Sequence, residues 1–104
     1  MPTVYVTAPP DAAADLASQL VEERLAACVN RVRCRSTYRW EDEVHRDDEE
    51  ILLAKTTDGA CDELMARAEE LHPYDVPCIE RFDVTDATGP FEEWLDSAVE
   101  VGES

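Results

Sequence analysis

Apolar and polar positions change period several times along the chain, and each change predicts an element. Residues 3–8 are few, β-branched and aromatic, which predicts a strand. Pro9-Pro10-Asp11 stops it and opens a helix, since proline suits a helix start and aspartate caps free N–H groups. Over residues 11–26, Ala13, Leu16, Ala17, Leu20, Val21 and Leu25 recur mainly at three- and four-residue spacings, one apolar helical face. At residue 28 the period drops to two. Cys28, Asn30, Val32, Cys34, Ser36, Tyr38 and Trp40 alternate with Val29, Arg31, Arg33, Arg35, Thr37 and Arg39. That predicts a long strand over 28–40 with one half-buried face and one arginine face.

Glu41-Asp42-Glu43 predicts a hairpin turn, and the chain returns as a second strand to residue 56 through Ile51-Leu52-Leu53-Ala54. With Glu41 and Asp42 at the turn, Arg35 falls opposite Asp48 and Arg33 opposite Glu50, a row of cross-strand ion pairs. Thr57 and Asp58 offer an N-cap for a helix carrying Cys61, Leu64, Met65, Ala68 and Leu71 inward. Pro73 ends that helix at about His72, because proline disfavours helical geometry in the residue before it. Residues 78–85 predict a fourth strand. Gly89-Pro90 introduces a last helix with Phe91, Trp94, Leu95, Ala98 and Val99 inward.

Two β-α-β halves joined by a hairpin give an α+β fold, the ferredoxin-like β-α-β-β-α-β sandwich with a terminal helix. At 104 residues the chain reads as a single domain over 1–104. A 13-residue strand exceeds the usual length and leaves sheet surface that sister chains would cover.

Charge narrows the function classes. Twenty-five acidic residues face nine basic ones, a net −16, and Lys55 is the only lysine. Such a surface repels phosphate backbones and anionic lipid, so neither nucleic acid nor membrane is an expected partner. The acids are spread along the chain, as in the solvating surfaces that halophilic proteins use at high salt. The start, M-P-T-V-Y-V-T, lacks a basic n-region, and no apolar run nears the ~20 residues of a membrane span. The expected location is cytoplasmic. Four cysteines without a C-x-x-C pair read as reduced thiols there. Cys28 and Cys34, on one strand, stand about 20 Å apart, beyond the ~7 Å a disulfide spans.

No phosphate loop, nucleophile elbow or H-E-x-x-H is present, and three glycines at 59, 89 and 102 exclude G-x-G-x-x-G. The chemistry concentrates in L-H-P-Y-D-V-P-C-I-E, residues 71–80. His72 and Cys78 are copper and zinc ligand types, and Asp75 and Glu80 could add oxygens. The same residues also read as punctuation: a histidine meeting free carbonyls at a helix end, and a buried thiol at a strand start. Lys55 closes an apolar run, so it calls for a carboxylate such as Glu41 or for a ligand. Tyr38, Trp40 and Tyr74 are amphipathic and suit interfaces or cleft walls.

Laid out in this way, the chain resembles the CutA family of divalent-cation tolerance proteins. The matching blocks are L-V-E-E-R-L-A-A-C-V-N (20–30), Y-R-W-E-D-E (38–43), I-L-L-A-K-T (51–56), H-P-Y-D-V-P (72–77) and F-E-E-W-L (91–95), in order and spacing. The resemblance implies a non-enzymatic, PII-like homotrimer that binds or responds to divalent metal ions, copper foremost. It also implies intersubunit clefts near Tyr38, Trp40, Glu41, Lys55 and Tyr74. The copper-ligand positions of bacterial members fall here on Val6, Leu71 and Cys78, so only Cys78 keeps ligand chemistry. The expected metal set is therefore Cys78, His72 and Glu80. The alternative is a signalling trimer whose clefts take a small anionic ligand on Lys55.

Overall fold

β1 (Pro2–Ala8), α1 (Pro10–Glu22), β2 (Cys28–Trp40), β3 (Glu43–Lys55), α2 (Cys61–Leu71), β4 (Ile79–Asp83) and α3 (Gly89–Ala98) follow in the predicted order. The computed structural model describes residues 1–99. The sheet runs β2-β3-β1-β4 with every pairing antiparallel. This is the ferredoxin-like sandwich.

Alternation builds the core. Val4, Val6 and Ala8 of β1 lie beside Leu52 and Ala54 of β3, and all are buried under Leu16 and Leu20 of α1 and Leu64 and Ala68 of α2. Each buried leucine contributes about 1.5–3 kcal/mol of transfer free energy. The opposite face of the sheet has neither helix over it. Tyr5, Ile51 and Leu53 are half-buried there, and Val32 and Phe82 are exposed at 48% and 46%.

The hairpin register is the expected one: Arg35 pairs with Asp48 and Arg33 with Glu50. The ion pairs follow it only in part. Arg35 reaches Asp48 at 3.6 Å, but Glu50 is held by Arg31, at 2.7 and 3.3 Å. Glu50 is buried, and its partner is the arginine nearer the core, diagonal to it across the strands, rather than Arg33 directly opposite. Glu41 and Asp42 form the two-residue turn with φ of 52° and 64°. Both therefore sit in left-handed geometry that glycine or asparagine adopts at lower cost. Beyond the pair Cys34–Glu49, β3 has no second neighbour, so the outer hairpin is a two-stranded ribbon. Such a ribbon is marginal without a packing partner.

Four boundaries or faces differ from the sequence reading. α1 ends at Glu22 rather than near residue 26: Arg24 turns left-handed (φ 63°), and the Leu25 N–H donates to the Leu20 carbonyl at 3.0 Å. Leu25, Ala26 and Ala27 remain buried, so an apolar stripe continues after the helix has stopped. α2 begins at Cys61, because Thr57 Oγ1 accepts the Ala60 N–H (3.2 Å) in a turn before the helix instead of capping it. β4 covers only Ile79–Asp83, since its pairing with β1 stops at Pro2–Asp83. In α3 only Leu95 and Ala98, with the following Val99, pack inward, against Ala27 and Ala60. Phe91 and Trp94 point away from that cluster, 36% and 46% exposed, with ring centroids 5.8 Å apart.

Candidate functional site

The segment from His72 to Cys78 is stapled at both ends to one residue, Thr7, at the end of β1. The helix stops at Leu71, and His72 turns extended (ψ 139°) ahead of Pro73, as the proline demands. His72 is 8% exposed, with Nε2 2.7 Å from the Thr7 carbonyl, and its Nδ1 accepts the Tyr74 N–H at 3.1 Å. An Nδ1 that accepts is unprotonated, so Nε2 carries the proton and donates to the carbonyl. Neither nitrogen retains a free lone pair for a metal. At the far end, the Thr7 N–H donates to the Cys78 carbonyl at 3.3 Å. The two prolines stiffen what lies between.

Against this loop stands the outer hairpin. The Tyr74 hydroxyl donates to Glu49 Oε2 at 2.7 Å, and the Tyr38 hydroxyl donates to Asp47. Burial and the Glu49 bond push the Tyr74 hydroxyl well above its ordinary pKa; the Asp47 bond, then burial, raises that of Tyr38. Both phenols therefore remain protonated donors through the neutral range. Tyr38 also stacks on His45 with centroids 5.4 Å apart. Between loop and hairpin lies a cleft of about 550 Å³, whose walls include Tyr38, Trp40, Glu49, Tyr74, Val76 and Cys78.

Cys78 is exposed, so the reading of a buried thiol at a strand start does not hold. Its Sγ, just before β4, lies 3.9 Å from Glu80 Oε1, two residues on. Partial desolvation, then the charge of Glu80, pushes the thiol above its ordinary pKa. It is a protonated thiol at neutral pH, beside a carboxylate. Among the described residues, no three or more His, Cys, Asp and Glu side chains gather closely enough to hold a metal.

Within one chain the expected cleft residues divide. Tyr38, Trp40 and Tyr74 line the cavity together, and Glu41 sits just beyond them in the hairpin turn. Lys55 does not join them. It pairs with Cys28 and Thr3 at the opposite end of β3, roughly 40 Å from the turn at the usual rise per residue. Nor does it meet Glu41 or, among the described residues, any other carboxylate as an ion-pair partner. Sequence reasoning missed Glu49 and Thr7. Glu49 stands in the acidic run Asp47-Asp48-Glu49-Glu50, where only strand parity separates it from its solvated neighbours. That parity sets it on the face of Tyr38 and Trp40, a signal the sequence did contain.

Comparison with known proteins gives consistent results. The model of the family described as CutA1 divalent ion tolerance protein matches residues 2–98. The divalent-cation tolerance protein CutA of Pyrococcus horikoshii is 41% identical over 93 residues, covering 88% of this chain and 91% of that protein. Its namesake from Thermus thermophilus is 45% identical over 94 residues, with the same coverage. The crystal structure of Pyrococcus horikoshii CutA1 superposes with a TM-score of 0.92 at 38% identity, over 96% of this chain and 99% of the other. That of the PII-like protein CutA from Nostoc sp. PCC 7120, in apo form, gives 0.93 at 28% identity over 97% and 99%.

Proposed function

The chain belongs to the CutA1 divalent ion tolerance family, whose proteins are structural and regulatory rather than catalytic, and from that premise we propose that it binds divalent metal ions, copper foremost, as a homotrimer. The observation that carries the metal reading is the exposed Cys78 thiol beside the Glu80 carboxylate at the mouth of the cleft. A soft sulfur with an oxygen neighbour suits copper and zinc better than calcium or magnesium. Two donors do not close a site, so the remaining ligands are water or side chains of a second subunit. His72 enters as the clamp that fixes the loop, because using it as a ligand would leave the Thr7 carbonyl or the Tyr74 N–H without its partner. The trimer reading is supported by the sheet face that the helices leave uncovered and by the two-stranded ribbon beyond it.

The test is titration of the reduced protein with copper and with zinc in about 2 M salt, where screening is confined to a few ångströms and adsorption to the acidic surface fades. Binding near one ion per chain is expected. Cys78→Ser should weaken it by about 100-fold or more, and Glu80→Gln by about tenfold. Because the metal must displace the proton of a raised thiol, affinity should climb by about tenfold per pH unit through the neutral range. Binding that Cys78→Ser leaves unchanged would retire the thiol site.

A further inference from the structure

Two charges on β3 have no opposite charge within their own chain. Glu49, 5% exposed, accepts the Tyr74 hydroxyl, and among the described residues no lysine, arginine or histidine pairs with it. Lys55 is half-buried at the other end of the strand, with Thr3 of β1 and Cys28 of β2 as its register partners, and it meets no carboxylate among the described residues. Strand parity puts both on the face that the helices leave uncovered, with Ile51 and Leu53 between them. Six residues of strand separate them by about 20 Å, so neither can satisfy the other within a chain. A charge withdrawn from water without a partner is costly. Lys55 is the only lysine beside 25 acidic residues, and its own chain still offers it no carboxylate, so its partner lies on another chain.

We infer that Lys55 of each subunit enters the cleft of the next and pairs there with Glu49. The pair, which rests on the trimeric reading above, joins opposite ends of β3 across a subunit boundary. A closed ring repeats one heterologous contact, in which a residue meets a different residue of its neighbour. Opposite charges at the two ends of one strand face are complementary under such a contact. Each subunit gives one ammonium and receives one, so every charge is matched. The cleft also suits a lysine. Tyr38, Trp40 and Tyr74 line it beside Glu49, so the four-carbon stem lies on aromatic surface while the ammonium reaches the carboxylate. Tyr74 continues to donate to Glu49 Oε2, which leaves Oε1 for the ammonium. Glu49 is thereby committed to the subunit contact, and Cys78 and Glu80 remain as the metal donors at the mouth.

The test is zero-length carbodiimide cross-linking of the intact protein, which joins an amine and a carboxylate in contact as an amide, with the linked residues read by peptide mass mapping. Because Lys55 is the only lysine, every side-chain amine cross-link starts from it. A Lys55–Glu49 amide is expected, carried by dimer and trimer bands on denaturing gels. Lys55→Arg keeps the charge without the reactive amine, and should abolish that amide while light scattering still reports a trimer. Lys55→Met and Glu49→Gln, which keeps an oxygen for the Tyr74 hydroxyl, should each weaken subunit association about tenfold in a dilution series, and the double variant no further. A trimer that links Lys55 to other carboxylates but never to Glu49, or single-variant costs that add in full, would overturn the pair and leave the trimer standing. A monomeric mass for the unmodified protein would overturn both.

Discussion

Replacing His72 by alanine is expected to lower the unfolding free energy by about 2–4 kcal/mol, because it breaks two hydrogen bonds and strands a buried acceptor. The imidazole is nearly inaccessible, and both of its nitrogens bond to main chain: the Thr7 carbonyl on one side and the Tyr74 N–H on the other. Alanine leaves a small cavity and a carbonyl that water reaches poorly, so the cost exceeds that of one exposed hydrogen bond. For a chain of about this size each kcal/mol moves the melting temperature by about 4–8 °C. The fall should thus be about 8–32 °C, measured at fixed protein concentration because assembly also shifts melting. The loop should loosen with it, and faster amide exchange at Tyr74 would report the lost acceptor. A fall below about 1 kcal/mol would mean that the clamp is unimportant to the fold.

Ile51→Glu is expected to convert the proposed trimer into monomers, the largest change in mass available from a single substitution. Ile51 lies on the sheet face opposite the helices, across from Val32 and beside Thr7. It is half-buried within one chain, and assembly would remove the rest of its surface from water. In that assembly a carboxylate at this position would lose its water without gaining a cation from its own chain's neighbours there, Val32 and Thr7, at a cost of several kcal/mol per subunit. The substitution does not touch the helical core, whose strand contributions are Val4, Val6, Ala8, Leu52 and Ala54. The monomer should therefore retain its helical circular dichroism while light scattering reports one third of the mass. A trimer that survives Ile51→Glu would place the subunit contact elsewhere.

Much of the fold was legible because local patterns and tertiary demands agree along most of the chain. The thirteen-residue alternation in β2 and the turn at Glu41-Asp42 together set Arg35 against Asp48, the register that the sheet adopts. The five blocks resembling the CutA family led to the same family that the comparisons identify. The boundaries failed where an apolar pattern outlives its element. Leu25 and Ala26 continue the stripe of α1, yet Arg24 has already turned the chain left-handed. Phe91 and Trp94 are hydrophobic by composition, but α3 sits at the margin of the core and buries only one side.

The candidate site was harder to read, because its chemistry is set by which donor meets which acceptor. Nothing in H-P-Y states that both imidazole nitrogens are consumed by main chain from 65 and two residues away. Nor does an acidic run declare that Glu49 is buried while Asp47 and Asp48 are exposed. Lys55 was grouped with Trp40 and Glu41 by the resemblance; within one chain, strand length alone separates them.

The most direct test of the account is X-ray absorption at the metal edge of the reduced protein, loaded with zinc and separately with copper in about 2 M salt. A sulfur shell is expected in both spectra, at about 2.3 Å for zinc, and should disappear in Cys78→Ser. Spectra fitted by oxygen neighbours alone, or a sulfur shell that persists without Cys78, would contradict it.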